Sequence, residues 1–290
     1  MSRHSEIGIF GGDLRQVYMA KEFLNKGYRV STYRLAEPVI HENCTMLHSL
    51  NELFDQCRVL VGPIPLTRDL VSVASTATSD LTATNLSNLL TKEHFLIGGM
   101  IPSQITGVCS AKGIPFYDLM KDEKITILNA IATAEGTIME AIQNSNRNLH
   151  GSNCLVLGYG RCAKVLAGKL KALDAKVTVA ARSEEALAYA EAAGHQIVPL
   201  SEIKPLLSSY QYIFNTIPSM VLDKECLTLV DRDVLIIDIA SAPGGVDFEY
   251  AMQQGIRAKL CLGLPGKVAP RTSADILVTE IITYMKERSD

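Results

Sequence analysis

A glycine-rich turn between two apolar runs constrains this chain more than any other feature. The run Cys154–Leu157 leads into Gly158-Tyr159-Gly160-Arg161-Cys162-Ala163, and apolar residues at helical spacing follow over Ala163–Leu173. A second apolar run, Val177–Ala180, comes next. A strand, a G-x-G-x-x-G/A turn, a helix and a second strand at this distance are typical of a dinucleotide-binding βαβ unit. The turn alone is a weak signal, but its context predicts a doubly wound parallel sheet.

The same alternation of short apolar runs and amphipathic stretches covers most of the 290 residues. Strands that alternate with helices form parallel sheets that are covered on both faces. A chain of this length also favours two domains over one. We therefore predict an α/β protein with two Rossmann-like, doubly wound parallel-sheet domains and a cleft between them. The predicted buried strands are Ile7–Phe10, Arg29–Tyr33, Val59–Val61, Phe95–Ile97, Cys154–Leu157, Val177–Ala180, Tyr212–Asn215 and Val234–Ile239.

The first half of the chain repeats the opening of the second half. The same number of residues separates Gly11 from Val30 as separates Gly158 from Val177. The two turns differ in chemistry, because Asp13 stands where the second half has Gly160. That position is where the backbone approaches the pyrophosphate of a dinucleotide, and a carboxylate there would repel it. We therefore expect the dinucleotide in the second half only.

The domain boundaries follow from this repeat. We expect an N-terminal substrate and catalytic domain over residues 1–127, completed by a C-terminal helix within residues 270–290. A dinucleotide-binding Rossmann domain is expected over residues 128–269, and a linking helix over residues 125–143. Two crossings between the domains would form a hinge at the predicted cleft, which suits a substrate that is closed against a cofactor.

Composition and charge exclude several classes of function. The net charge is −3 and no Lys or Arg run is present, so we expect no nucleic-acid partner. No run approaches the roughly 20 apolar residues that span a bilayer, and no export signal is evident, which predicts a cytoplasmic protein without a membrane partner. The seven cysteines form no C-x-x-C pair and no His/Cys cluster. They are expected to be reduced thiols, with no disulfide framework and no metal site.

The residues of the turn and of the next strand end define the expected cofactor site. Gly158 permits the tight turn, Gly160 leaves room for the pyrophosphate, and Ala163 permits close packing of the helix. The helix start, with Tyr159, Arg161 and Cys162 in the same turn, directs unpaired N–H groups at the phosphates.

The second strand end distinguishes between the two nicotinamide dinucleotides. NAD enzymes usually place an acid there for the ribose 2′-hydroxyl, whereas this chain has Arg182 and Ser183. A guanidinium and a hydroxyl suit a 2′-phosphate, which favours NADP over NAD.

Two later strand ends are expected at the same edge of the sheet, where open parallel sheets bind ligands. Asn215, Thr216 and Pro218 follow one strand, and Asp238 and Ser241 lie at the end of the other. We expect these residues to border the nicotinamide and its ribose. Asp238 is the one acid at this edge, and two roles remain open for it, proton acceptor or brace for the following loop.

A set of unusual strings resembles the family of dipicolinate synthase A subunits from spore-forming bacteria, over nearly the whole chain. The strings are Gly11-Gly12-Asp13 with Arg15-Gln16, Glu135-Gly136-Thr137-Ile138-Met139, His150-Gly151, Ala181-Arg182-Ser183, Asn215-Thr216-Ile217-Pro218-Ser219-Met220, Pro243-Gly244-Gly245 with Asp247-Phe248, Gly263-Leu264-Pro265-Gly266, Val268-Ala269-Pro270 and Thr272. More remotely, the architecture resembles alanine dehydrogenase and the hydroxyacid dehydrogenases.

The resemblance implies a dehydrogenase that converts a dihydrodipicolinate-type ring to dipicolinate during sporulation. It further implies a B subunit that looks like a flavin-binding protein, and a location in the cytoplasm of the mother cell. A homo-oligomer is compatible with the sequence, which does not define the oligomeric state.

A dicarboxylate substrate of this kind requires cationic or N–H-rich loops. Arg15 is the first choice for a carboxylate clamp, because its fork binds a carboxylate through two parallel hydrogen bonds. Thr67, Arg68, Lys267 and Arg271 are the second choices.

Glu135 and Asp238 are the candidate proton acceptors. Glu135 is equally well explained as a residue that ties the linking helix by hydrogen bonds. Two alternative functions remain open: another NAD(P)-dependent dehydrogenase that acts on a different small carboxylic acid, or a catalytically silent NADP-binding partner subunit.

Overall fold

The computed structural model describes residues 6–75 and 80–288. The chain divides into two compact units, each with its own sheet. Unit 1 comprises Met1–Thr126 and Ala269–Asp290, and unit 2 comprises Ile127–Val268.

Unit 1 is a parallel sheet with helices on both faces. Its elements are β1 (Glu6–Phe10), α1 (Leu14–Asn25), β2 (Arg29–Tyr33), β3 (Cys44–Met46), α2 (Leu50–Gln56), β4 (Val59–Val61), α3 (Ala83–Leu89), β5 (Phe95–Gly98), α4 (Ser103–Lys112), β6 (Phe116–Asp118), the first turn of α5 (Glu123–Gln143) and the C-terminal helix α11 (Pro270–Glu287). The six strands lie in the order β3-β2-β1-β4-β5-β6, and all of their pairings are parallel.

Helix α11 belongs to unit 1 and packs against α1. Its buried face contributes Leu277 and Ile281 to one core cluster with Met19 and Phe23 of α1. A second cluster covers the opposite face of the same sheet. The two clusters give unit 1 the three-layer arrangement expected of a doubly wound sheet.

Unit 2 repeats this architecture. After the rest of α5, its elements are β7 (Asn153–Leu157), α6 (Arg161–Ala172), β8 (Lys176–Ala181), α7 (Glu184–Ala192), β9 (Gln196–Pro199), β10 (Tyr212–Asn215), α8 (Lys224–Thr228), β11 (Leu235–Asp238), α9 (Phe248–Gln253), β12 (Arg257–Leu260) and α10 (Leu264–Val268). Short 3₁₀ turns cover Leu200–Glu202 and Lys204–Ser209. The strands lie in the order β12-β11-β10-β7-β8-β9.

The two sheets have the same topology, which confirms the predicted fold class. If the strands of unit 2 are counted from β7, both sheets have the Rossmann order 3-2-1-4-5-6. The order reverses between β1 and β4 in unit 1, and between β7 and β10 in unit 2. Ligands of open parallel sheets bind outside the carboxyl ends of the strands at such a point.

Helix α5 is the longest helix among the described residues. By length and composition it is apolar enough to cross a membrane, with a mean hydropathy of 1.2 over its best window. The core helix of a water-soluble protein meets the same criterion, and 39% of that window is buried inside the protein.

Candidate functional site

The turn after β7 requires glycine at its first position. Gly158 has a φ of 93°, and a Cβ atom there would lie 2.5 Å from the Thr216 hydroxyl oxygen. That hydroxyl is fixed, because it donates a hydrogen bond of 2.8 Å to the carbonyl oxygen of Leu157. The carboxyl ends of β7 and β10 are thus joined at the point where the strand order reverses.

The second glycine leaves the N-terminus of α6 open. Among the described residues, no side chain caps this helix, and a Cβ atom on Gly160 would meet nothing within 4 Å. The first N–H groups of a helix have no acceptor within it and carry the positive end of its dipole. Ala163 is fully buried against the sheet, so that the helix start lies close to it. The geometry fits the phosphates of a dinucleotide.

The three side chains within the turn differ in exposure. Arg161 is exposed, and Tyr159 and Cys162 are half-buried. The Tyr159 ring lies edge-on to the ring of His195, with 6.2 Å between their centroids. Burial raises the pKa of the Cys162 thiol, against the opposing effect of a hydrogen bond with Thr133. Cys162 is therefore a neutral thiol at neutral pH and not a nucleophilic thiolate.

The end of β8 presents a guanidinium at the ribose position. Arg182 and Ser183 are both exposed, and Arg182 Nη2 donates a hydrogen bond of 3.1 Å to Oγ of Ser219. Ser183 caps the N-terminus of α7, because its oxygen accepts a hydrogen bond from the backbone N–H of Ala186 at 3.3 Å. The Ser183 oxygen is thus occupied as an acceptor, whereas its hydroxyl hydrogen remains available to a ligand. Of these two serine hydroxyls, the Ser219 hydroxyl is the one that contacts the guanidinium.

Asp238 lies in a hydrogen-bonded network that joins two loops. The side chain is fully buried and accepts hydrogen bonds of 2.9 Å from Asn215 Nδ2 and from the backbone N–H groups of Ala240 and Gly245. Asn215 also donates to the Ile217 carbonyl oxygen and accepts from the Ile217 N–H, both at 3.1 Å. The side chain of Asn215 is therefore fully engaged within the protein. The geometry favours a bracing role for Asp238.

Gly245 completes this network. A Cβ atom on it would lie 2.4 Å from Asn215 Nδ2 and 2.8 Å from the Ser219 carbonyl oxygen. The loops that follow β10 and β11 are therefore packed too closely for any larger residue. Pro218 and Ser241 lie on these same loops, and both are exposed.

Replacing Asp238 by asparagine is expected to lower the free energy of unfolding by about 2–4 kcal/mol. The new NH₂ group is a donor and would face buried N–H donors, which would then lack an acceptor. Urea unfolding of the purified chain measures this loss. Asp233→Asn is the matched control, since Asp233 is exposed and should change stability by less than about 0.5 kcal/mol. Equal stability of the two variants would contradict the bracing role.

Glu135 ties α5 to α6. Its Oε1 lies 2.9 Å from Nζ of Lys169, and just over half of the Glu135 side chain is exposed. The sequence left open whether Glu135 accepts a proton or holds its helix in place. The ion pair favours the second role.

The matching turn in unit 1 is closed by its own side chains. Asp13 caps α1 by accepting a hydrogen bond of 2.9 Å from the Arg15 N–H, and the Gln16 side chain accepts one from the Asp13 N–H at 3.0 Å. A carboxylate therefore occupies the place that a phosphate would take. This arrangement is a physical reason to expect no dinucleotide at the turn of unit 1, which stays a prediction.

Arg15 is turned back onto this carboxylate. Its Nε and Nη2 donate to the two Asp13 oxygens at 2.9 and 2.8 Å, and Nη2 also donates to the carbonyl oxygen of Ile64. Burial tends to raise the pKa of Asp13, but the hydrogen bonds and charge of Arg15 lower it below its usual value. The pair therefore stabilises unit 1 at neutral pH, and this contribution is lost as the pH falls through the lowered pKa. Only 6% of Arg15 is exposed, so little of its fork remains for a ligand.

The other candidate substrate residues lie in different places. Thr67 and Arg68 follow β4 in unit 1, at the edge where the strand order reverses. Thr67 is buried, and its hydroxyl oxygen has no hydrogen-bond partner in the described part of the chain, whereas Arg68 is exposed. Lys267 lies in α10 of unit 2 and Arg271 in α11 of unit 1, both exposed.

The sequence did not predict that Ser219 and Gly245 belong to the candidate site. A serine after a proline and a glycine in a Pro-Gly-Gly string are ordinary loop residues, and no spacing rule assigns them a partner. Within residues 6–75 and 80–288, no group of three or more His, Cys, Asp or Glu side chains could hold a metal ion.

Comparison with known proteins first defines a class. A family model for the N-terminal domain of the dipicolinate synthase A subunit matches residues 6–120, and one described as shikimate / quinate 5-dehydrogenase matches residues 140–258. The structure of D-lactate dehydrogenase from Escherichia coli has a TM-score of 0.64 at 11% identity, over 98% of this chain and 97% of its own. That likeness shows the fold alone. Together with the two Rossmann units, these matches define a two-domain oxidoreductase class with a dehydrogenase-type fold.

Two relatives narrow this class to one family. The chain is 32% identical to the dipicolinate synthase A subunit of Bacillus subtilis (strain 168) over 287 residues, which cover 97% of this chain and 96% of the relative. The crystal structure of the dipicolinate synthase A subunit from Bacillus halodurans matches with a TM-score of 0.88 and 30% identity, over 97% of both chains. The chain belongs to the family of dipicolinate synthase A subunits. The resemblance seen in the sequence is thereby confirmed.

Proposed function

We propose that this protein is the dehydrogenase subunit of a dipicolinate synthase, and that it uses NADP to oxidise a dihydrodipicolinate-type ring to dipicolinate. The names of the relatives support the reaction class and the product. The observation that carries the choice of cofactor is the edge of unit 2, where an uncapped helix start lies beside a strand end with a guanidinium and no acid.

The residues of unit 2 fit NADP. The backbone N–H groups of the turn Gly158-Tyr159-Gly160-Arg161-Cys162-Ala163 would hold the pyrophosphate, because Gly160 leaves open space and α6 lacks a cap. Arg182 would bind the 2′-phosphate through its guanidinium, which Ser219 holds, and the Ser183 hydroxyl would add a hydrogen bond.

The nicotinamide end of the cofactor would lie beside the loops after β10 and β11. Asn215, Thr216 and Asp238 build these loops through hydrogen bonds within the protein, and Pro218 and Ser241 contribute to their accessible surface. We assign the first three to positioning and the last two to contact with the cofactor. Because the two loops pack closely at Gly245, we expect their surface to have the same shape with and without a bound ligand.

The reaction requires orientation more than it requires a strong catalyst. When bound, NADP⁺ would accept the hydride and solvent water the neighbouring proton, and the loss of both would make the pyridine ring of the product aromatic. The protein has to hold the ring at near-attack distance. Of the two candidate proton acceptors, Glu135 is paired with Lys169 and Asp238 is buried in its network. We therefore propose structural roles for both.

We place the carboxylate-binding group of the substrate in unit 1, at Thr67 and Arg68. The unpartnered hydroxyl of Thr67 lies beside an exposed guanidinium in the sequence, at the carboxyl end of β4. The exposed Arg68 would make the first contact with the carboxylate, whereas the buried Thr67 hydroxyl could reach it only if the loop moved. Arg15 is the weaker candidate, because its guanidinium already binds Asp13. Lys267 and Arg271 remain secondary candidates.

Arg68→Ala is expected to raise KM for a dicarboxylate substrate about tenfold, because a charge-assisted hydrogen bond is worth about 1.5 kcal/mol or more. Steady-state kinetics measure the change, with stability unaltered. Arg58→Ala is the control, since Arg58 is an exposed arginine of the same unit. An unchanged KM for Arg68→Ala would remove this residue from the carboxylate-binding group.

The family name designates one component of a synthase. We propose that its partner is a flavoprotein-like B subunit, and that both act in the cytoplasm of the mother cell of a sporulating bacterium. Co-purification from sporulating cells tests this partnership. Isolation of this chain without any second protein would count against it.

Calorimetry of the purified chain with NADP and NAD provides the test of the cofactor. We expect NADP to bind and NAD to bind far more weakly. If neither NADP nor NAD binds, the proposed function is wrong. Turnover of dihydrodipicolinate, followed by the absorbance of NADPH, then tests the reaction in the presence and absence of the partner.

A further inference from the structure

Helix α5 exposes an apolar face within unit 2. Five residues at helical spacing form this face, which we call the outer stripe: Ile127, Ile131, Glu135, Met139 and Ile142. The exposed fractions of its four apolar side chains are 46%, 42%, 37% and 57% in chain order. The solvent face of a surface helix normally carries polar side chains, and a row of large exposed apolar residues marks a contact surface.

The outer stripe is additional to the face by which α5 packs into its own unit. Ala134 and Ala141 on the inner face are fully buried. A Cβ atom on Gly136 would lie 3.1 Å from the side chain of Leu264, so the helix is already in close contact with α10. Unit 2 therefore obtains its core from one side of α5 and leaves the other side uncovered.

The order of residues in the stripe is nearly the same in both directions. Ile131 and Met139 lie one helical step of four residues before and after Glu135, and Ile127 and Ile142 lie one further step outwards. A two-fold contact uses the same patch on both copies, so the patch has to be complementary to itself. An antiparallel pair of α5 helices centred on Glu135 would place Ile131 against Met139 of the second copy, and Ile127 against Ile142.

The charge at the centre of the stripe is compatible with this pairing. Two Glu135 carboxylates would approach each other at the axis, and like charges there would be unfavourable if they were alone. Each carboxylate is already paired with Lys169 of its own chain at 2.9 Å. The centre of the stripe is therefore neutral before association.

From this pattern we propose that the outer stripe is the contact between two copies of this chain, which associate through antiparallel α5 helices. A lipid bilayer is a poor occupant, because α5 carries the ion pairs Glu135–Lys169 and Glu140–Lys259 along its length. The proposal goes beyond the proposed function and does not depend on it, since it concerns only the surface of α5.

Light scattering of the full chain at micromolar concentration tests the proposal. The wild-type protein is expected to have the mass of two chains, and Ile131→Glu/Met139→Glu to weaken association at least tenfold, to about the mass of one chain at the same concentration. Met252→Glu is the matched control, because Met252 is 74% exposed on α9 and should leave the dimer intact. A monomeric wild-type protein would overturn the proposal and assign the stripe to a different protein. The proposal would equally fail if the double variant stayed dimeric.

Disulfide cross-linking tests the register without depending on a destabilising charge. Ile131→Cys combined with Met139→Cys is expected to form a covalent dimer on oxidation, because each new thiol would face its counterpart in the second copy. The two positions lie about 12 Å apart along one helix, too far for a bond within a chain. Each single variant should remain uncross-linked. Failure of the double variant to cross-link, or equal cross-linking of the single variants, would refute the antiparallel register.

Discussion

Gly160→Asp is expected to lower the affinity for NADP at least about 100-fold and to leave the fold intact. A Cβ atom at Gly160 enters open space, and the backbone there has an ordinary extended conformation with a φ of −81°. The aspartate side chain can therefore be accommodated without moving its neighbours. Its carboxylate would cap α6 and occupy the place of the pyrophosphate, and a factor of 100 corresponds to about 2.7 kcal/mol.

Unit 1 already contains this variant in natural form. Asp13 stands at the corresponding position, accepts the hydrogen bond of the Arg15 N–H and closes the start of α1. Aspartate is slightly better than glycine as a helix cap, by a few tenths of a kcal/mol. The variant should therefore unfold at the same temperature as the wild-type protein or slightly above it.

Calorimetry with NADP and a thermal unfolding curve measure the two effects together. Gly168→Asp is the matched control, because Gly168 lies on the same helix and a Cβ atom there also meets nothing within 4 Å. It adds the same charge away from the turn and should bind NADP almost normally. Normal binding by Gly160→Asp would mean that the phosphates do not lie at the start of α6.

Arg182→Ala is expected to weaken NADP binding by about 1–3 kcal/mol, or roughly 5- to 150-fold, and to leave NAD binding nearly unchanged. Only NADP carries the phosphate that the guanidinium would bind. Arg182 is exposed and donates one hydrogen bond to Ser219. Its removal should not affect stability, so the ratio of the two affinities reports on the phosphate alone.

Two further variants sharpen this test. Ser219→Ala should weaken NADP binding less than Arg182→Ala does, because it removes a group that positions the guanidinium and flanks the phosphate. Arg232→Ala removes an exposed arginine elsewhere in unit 2 and should change neither affinity. If Arg182→Ala weakens NADP and NAD equally, the guanidinium does not select between them, and the choice of NADP would be wrong.

The inner strands of both sheets were predictable from the sequence, and the four edge strands were not. The eight predicted strands correspond to β1, β2, β4, β5, β7, β8, β10 and β11. The strands that were missed, β3, β6, β9 and β12, lie at the four edges of the two sheets. An inner strand is covered on both faces and appears as a continuous apolar run, whereas β12, for example, has exposed Lys259 and Leu260.

The candidate site shows a similar division. Backbone requirements were evident in the sequence. A glycine at position 158 indicates a tight turn, and Gly158 has the positive φ that such a turn requires. Side-chain partners were not evident. Arg15 forms its ion pair two residues away with Asp13, whereas Asp238 and Gly245 meet across a loop whose path no local pattern specifies. Roles that depend on such partners require coordinates.

The closed turn of unit 1 has a consequence for stoichiometry. The two sheets share one strand order, yet the Asp13 carboxylate fills the turn of unit 1, whereas no side chain caps the helix after the turn of unit 2. A titration with dinucleotide should therefore reach saturation at one equivalent per chain, although the architecture contains two frameworks of the kind that binds it. Duplication of a scaffold and duplication of its ligand are thus separable, and in this chain a single acidic side chain separates them.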